Sequence, residues 1–140
     1  MRMSFPYQRH SDRKPDLVRR IVEQLRTGTI TPMFHDQVIT PTFTDDAIGI
    51  LADVARTRAN GVFHAVGPDW LSPHEVGVRV AQSLGLDATA VPSSSLQDYI
   101  DQGGRPFPKA LRMSRAATGS TLNRPVHSLN DALLLPGWNF

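Results

Sequence analysis

The chain has 140 residues, 40% of them apolar and 20% charged, with a formal net charge of +2. This balance describes a globular chain long enough to bury a core, and argues against a disordered one. With no cysteine, disulfides, thiolate metal sites and a cysteine nucleophile are excluded.

No apolar run approaches the roughly 18 residues of a membrane span, and no apolar h-region follows Met1–Pro6. A soluble, cytoplasmic protein without a signal peptide is therefore the expectation. The high pI of about 9.5 reflects a small excess of base with little that titrates between neutrality and pH 9. A local excess does occur in the first 26 residues, where Arg2, Arg9, Arg13, Lys14, Arg19, Arg20 and Arg26 face Asp12, Asp16 and Glu23. A solvated helix face accounts for most of it, and an anionic ligand such as a phosphate fits the remainder better than DNA does. Aromatic residues make up only 7% and no nucleic-acid module is present, so nucleic acid is not an expected partner.

In chain order, "MRMSF" reads as the end of a strand too short to stand alone. "SDRKPDLVRRIVEQLRTG" reads as a helix with Leu17, Val18, Ile21, Val22 and Leu25 on one face, Ser11 or Asp12 as its cap and Gly28 as its stop. "TITPMF" is a short extended piece. Thr42 or Thr44 is the expected cap of the next helix, with Asp45 and Asp46 in its first turn. Its apolar face is read as Ala47, Ile48, Leu51, Val54 and Ala55, and Asn60-Gly61 as its stop.

"VFHAVG", residues 62–67, is nearly all apolar and predicts a strand buried on both faces of a parallel sheet. Ser72-Pro73-His74-Glu75 predicts a capping box with proline at the first helical position, and Gly85 ends that helix. "DATAVPSSS" reads as extended, followed by a short helix bearing Leu96, Tyr99 and Ile100. "QGGRPFPKAL" is a loop, residues 114–118 hold a helical turn, and Ser128 with Asp131 caps a last helix before Pro136-Gly137. The fold class is α/β, with few strands and several helices, and no linker divides residues 1–140 into two domains.

The chemistry-bearing motifs are sparse. There is no G-x-G-x-x-G, no P-loop and no G-x-S-x-G elbow. None of His10, His35, His64, His74 and His127 lies three or four residues from another, so no metal pair is suggested. His64 reads as a core residue with a satisfied ring nitrogen, and His74 as exposed. No self-contained catalytic constellation emerges, and no catalytic, cofactor or metal residue is assigned.

Four segments, in order, resemble a known family. "MRMSFPY" is similar to the strand end "lR-x-s-x-x-Y" of extended short-chain dehydrogenase/reductases that act on nucleotide sugars. "HDQVITPTFTDDAIGIL" resembles the "D-Q-x-x-x-P-T-x-x-x-D-L-A" segment of dTDP-4-dehydrorhamnose reductases, and "GGRPFPKALRMS" their "R-P-x-x-x-x-L" segment. "GVFHAVGPDWLSPHEVGVRVAQSLG" matches the family's strand "G-x-y-H-x-x-g" and the helix after it. The family's G-x-x-G-x-x-G loop and Y-x-x-x-K pair have no counterpart here; neither Tyr7 nor Tyr99 has Lys four residues on.

The resemblance implies the substrate-binding, C-terminal part of a Rossmann-type enzyme over 1–140, an incomplete domain without its N-terminal dinucleotide-binding half. It implies a nucleotide-linked sugar as ligand, NAD or NADP for the full-length family but none bound by this chain alone, and a missing Rossmann half or an oligomeric partner. Arg2, Asp36, Gln37, Pro41, Thr42 and Arg105 are the implied substrate-side residues. Guanidinium groups suit phosphate through paired hydrogen bonds. Asp36 and Gln37 can equally fix their turn, and Arg105 can equally anchor its loop. The competing reading is a non-catalytic sugar-nucleotide-binding or regulatory module acting through a protein partner, as in relatives such as the regulatory subunit of methionine adenosyltransferase.

Overall fold

The computed structural model of the protein describes residues 1–10, 14–138 and 140. Among the described residues, six α-helices and four two-residue strands, joined by long connecting segments, give an α/β fold with few strands. No helix among the described residues is long and apolar enough to cross a membrane.

Helix α1 (Leu17–Thr27) is capped by Asp16, whose carboxylate accepts from the Arg19 N–H at 3.0 Å. Ser11 and Asp12, the expected caps, lie outside the described residues. The stop is Gly28, in the left-handed region at φ 67°, where its N–H reaches the last-turn carbonyls. Val18, Ile21 and Val22 are buried, and Leu17 and Leu25 pack partly against the same core.

The strands pair in parallel. β1 (Pro6–Tyr7) lies beside β3 (Thr42–Phe43), and β2 (Met33–Phe34) beside β4 (Ser93–Ser94). Single bridges join Arg2 to His64 and Val38 to Ala110 in parallel, and Ile39 to Leu71 in antiparallel. The expected continuous strand over 62–67 is thus one bridge at His64 rather than a ladder. Phe63, Ala65 and Val66 are buried as expected, while Val62 is exposed. The edge of His64 away from Arg2 is closed by a side chain. The Thr118 hydroxyl accepts from the His64 N–H at 3.0 Å and donates to its carbonyl at 2.9 Å. The stretch 87–95 is not wholly extended either: Ala88–Ala90 form a 3₁₀ turn on an Asp87 cap before β4 begins.

Helix α2 (Thr44–Thr57) departs most from its sequence pattern. Neither Thr42 nor Thr44 caps it; Phe43 occupies the cap position without a side-chain bond. The two hydroxyls reach back to the N-terminal segment instead, to the carbonyls of Ser4 and Tyr7. Ala47, Ile50 and Asp53 are buried, whereas Ile48 and Leu51 are 59% and 50% exposed. The buried face is rotated because Asp53 is drawn inward by the guanidinium of Arg124. Gly49 makes room for that guanidinium: a Cβ there would sit 2.8 Å from Arg124 Nη1. The helix ends at Arg58, in the left-handed region, two residues before Asn60.

Helix α3 (Pro73–Ser83) carries the predicted capping box, with Ser72 and Glu75 bonding each other's backbone and Pro73 at the first position. The short helices α4 (Leu96–Asp101), α5 (Ala116–Leu122) and α6 (Leu129–Leu134) follow, the last on a Ser128–Asp131 capping box. The main core joins Tyr7, Ile21, Phe43, Val76, Val80 and Leu129; a smaller one joins Ala47, Ile50 and Ala65. His74 is half-buried rather than exposed, its Nε2 set 3.1 Å from the Val91 carbonyl. His64 is also half-buried, with Nδ1 2.9 Å from the Ser114 carbonyl.

Candidate functional site

Residues 36–42 run through the middle of the fold, and nearly every one ties down a different segment. The Asp36 carboxylate accepts from Ser95 Oγ at 3.0 Å and from the N–H groups of Leu96 and Gln97 at 2.6 and 3.1 Å. It thereby caps α4, and these donors, the Leu96 amide first, hold its pKa down at about 2. Gln37 is buried and donates from Nε2 to the Pro108 carbonyl at 2.9 Å. Val38 pairs with the same loop through Lys109 and Leu111. Thr40 Oγ1 donates to the Leu111 carbonyl and accepts from the Met113 N–H. The Pro41 carbonyl accepts from Gly67, and the Thr42 N–H donates to the Phe5 carbonyl.

These ties assemble a cleft of about 250 Å³ between α1 and the loop 105–110. Its walls include Arg20 and Gln24 from α1, Pro32 and Phe34 around β2, and Gln37 and Phe107. Phe34, Tyr99 and Phe107 form an aromatic cluster, with centroid separations of 5.6 to 6.4 Å. Arg105 places its guanidinium carbon 5.9 Å over the Phe107 ring. Phe34 and Pro32 also wall a neighbouring hollow with Ser95, Asp98 and Tyr99. A half-exposed aromatic wall, an amide and two guanidinium groups suit a ligand with a flat polar ring and an anionic group.

Of the residues singled out from the sequence, Gln37 lines this cleft and Arg105 stands at its aromatic edge. Asp36, Pro41 and Thr42 hold the frame behind it. Arg2 is not among the lining residues; its backbone bridges His64 and its side chain is exposed. Sequence reasoning did not single out Arg20, Phe34, Tyr99 or Phe107 for the site. Their only signal was composition: two cleft aromatics, Phe34 and Phe107, each follow a Pro-containing stretch, and Arg20 belongs to the basic first helix.

Tyr7, whose phenol is the group type that would transfer a proton, is 2% exposed. Burial, reinforced by the nearby Asp46 and Asp69, raises its pKa above the ordinary range, so it stays protonated. The double glycine is no phosphate cradle. A Cβ at Gly104 would lie 2.4 Å from the Tyr99 ring, so that backbone is already covered. Among the described residues no other glycine-rich turn leads into a helix.

Residues 1–131 match the RmlD substrate binding domain family. The chain belongs to this family. A probable low-salt glycan biosynthesis reductase, Agl14, from Haloferax volcanii is 27% identical over 117 residues, which are 81% of this chain and 39% of that protein. Among solved structures, dTDP-4-dehydrorhamnose reductase from Bacillus anthracis in complex with NADP superposes with a TM-score of 0.75 at 14% identity. The match covers 94% of this chain and 43% of that one. UDP-glucose 4-epimerase from Thermus thermophilus in complex with NAD gives a TM-score of 0.68 at 15% identity, over 94% of this chain and 42% of that one. The fold is thus that of the C-terminal portion of Rossmann-type extended short-chain dehydrogenase/reductases. The chain spans about two fifths of the length of these relatives.

Proposed function

We propose that this chain is the nucleotide-sugar-binding part of an NAD(P)-dependent reductase or epimerase, and that it does not turn over substrate alone. Residues 1–140 act as an incomplete domain in this reading. The observation that carries it is the cleft that brings Arg20, Phe34, Gln37 and Phe107 together, with Arg105 at its edge. The names of the structural relatives, a dTDP-4-dehydrorhamnose reductase and a UDP-glucose 4-epimerase, support the ligand class. Phe34 and Phe107 offer faces to a nucleobase, and Arg20 and Arg105 offer forked donors to a diphosphate. Asp36, Gln37, Pro41 and Thr42 act as the frame that holds the cleft open, and Arg2 acts through its backbone bridge. The absence of a Y-x-x-x-K pair and of a dinucleotide cradle leaves proton transfer and hydride chemistry to residues outside this chain.

Isothermal titration of the purified chain with dTDP-glucose and UDP-glucose tests the reading. Binding of at least one is expected, and Arg105→Ala should weaken it by about 1 kcal/mol or more, roughly fivefold. No heat with either ligand, or an affinity indifferent to both Arg20→Ala and Arg105→Ala in folded variants, overturns it.

A further inference from the structure

Helix α1 has a hollow on each flank. Leu17, Arg20 and Gln24 wall the nucleotide-sugar cleft. Arg19, Val22, Glu23 and Arg26 wall a second, half-open groove of about 340 Å³, with which the cleft shares no residue. The division follows from the helical repeat, since residues 19, 22, 23 and 26 form one stripe and residues 17, 20 and 24 another. Phe140 is the opposite wall of the groove. Its ring stacks on Trp138 at 4.7 Å, and Trp138 stacks on Tyr7 at 6.4 Å. The Trp138 indole also donates to the Ala132 carbonyl at 2.9 Å, so this wall is fastened to the core.

Shape and charge define what the groove takes. It runs from Pro15 to Thr27, a span of about 18 Å at the helical rise. About 340 Å³ over about 18 Å leaves a cross-section of about 19 Å², so the groove is about 5 Å across. One extended alkyl chain is that wide, whereas a fused ring lying flat is wider. The floor is the buried Val22, set between Pro15, the Phe140 ring and the apolar stems of Arg19 and Arg26. Residues 14–27 carry the cations Lys14, Arg19, Arg20 and Arg26 against the acids Asp16 and Glu23. Arg19 is engaged, donating to the Arg9 carbonyl and lying 3.9 Å from Asp16. Arg26 is exposed at the Thr27 end of the groove, and among the described residues its side chain makes no hydrogen bond or ion pair.

We propose that this groove is a binding site for a free single-chain fatty acid. The alkyl chain lies along α1 over Val22 and against Phe140, and the carboxylate rests on the Arg26 guanidinium. A guanidinium holds a carboxylate through two parallel hydrogen bonds. Glu23 stands one turn before Arg26 and repels an anion set midway along the groove, which leaves the head group at the Thr27 end. A two-chain membrane lipid brings a second chain for which a groove of this width has no room. The site is independent of what the cleft on the other flank of α1 binds.

The test titrates the whole 140-residue chain with decanoate and with its uncharged counterpart 1-decanol, both below the concentrations at which they self-associate. Trp138 fluorescence is the readout, because its stacking partner Phe140 lines the groove. Saturable decanoate binding is expected, tightening about twofold per methylene from octanoate to decanoate, less than full burial would give because the groove is half-open. Arg26→Gln, at an exposed position, should weaken decanoate by about fivefold or more and leave 1-decanol within about twofold. Saturating dTDP-glucose should leave the decanoate affinity within about twofold. No saturable binding, or an affinity indifferent to Arg26→Gln, overturns the proposal. Displacement by dTDP-glucose does so as well, since it would put the acid in the cleft. So does co-sedimentation of the chain with phosphatidylglycerol vesicles that Arg26→Gln abolishes, which would assign the surface to a membrane.

Discussion

Replacing Asp36 with Ala separates a framing role from a ligand contact. Both carboxylate oxygens of Asp36 are engaged with the first turn of α4, through one hydroxyl and two backbone amides. A helix cap of this kind contributes about 0.5–2 kcal/mol, and hydrogen bonds to a charged group lie at the upper end of ordinary hydrogen-bond values. Asp36 is only half-buried, so water competes, and about 2 kcal/mol is the expected loss. At this chain length each kcal/mol moves Tm by about 4 °C, so the variant should melt about 8 °C lower at pH 7.

The pH profile carries a second signature. The pKa of Asp36 is lowered in the folded state, to about 2 from an ordinary 3.8. Its contribution is fully present above the unfolded value and is lost as pH falls from about 4 toward 2. The gap between parent and variant should therefore close over that window, as urea melts at successive pH values would show. Nucleotide-sugar affinity, measured well below Tm, should change by less than about threefold, since no carboxylate oxygen of Asp36 faces the cleft unengaged. An unchanged Tm at pH 7 together with a collapse in affinity would refute the framing role and return Asp36 to the ligand.

Gly67→Ala places a Cβ 2.5 Å from the Pro41 carbonyl oxygen, a backbone atom that cannot step aside. Thermal melts should show a loss of about 3 kcal/mol, the upper end for overpacking; a parent-like Tm would mean that residues 41 and 67 are not in contact. Gln37→Leu removes the buried bond to the Pro108 carbonyl and should free the 105–110 loop. Limited trypsin digestion should then cut faster after Lys109, with about 1 kcal/mol lost in stability, and unchanged cleavage would exclude this tether. Ser72→Ala should cost about 1 kcal/mol by urea denaturation, because it removes one half of the α3 capping box.

The local signals in this sequence were sufficient wherever the deciding contact lies within one helical turn. Ser72-Pro73-His74-Glu75 and Ser128 to Asp131 specify their capping boxes, and Gly28 its left-handed stop, because donor and acceptor are three or four residues apart. The ordered motifs likewise marked the family and the α/β class, now carried by the match over residues 1–131. The orientation of α2 was not legible. Its apolar residues Ala47, Ile48, Ile50, Leu51 and Val54 span too wide an arc to select one face, and Arg124, 71 residues away from Asp53, makes the selection. The run 62–67 read as a strand because hydrophobicity reports burial, but whether a strand or the Thr118 hydroxyl closes its edge depends on where α5 lands. The cleft is a tertiary product in the same sense. Asp36 meets residues 95–97, and Gln37 meets Pro108, 71 positions on. Side-chain type could nominate these polar groups, but only the closing of such long loops decides whether each faces a ligand or holds the frame around it.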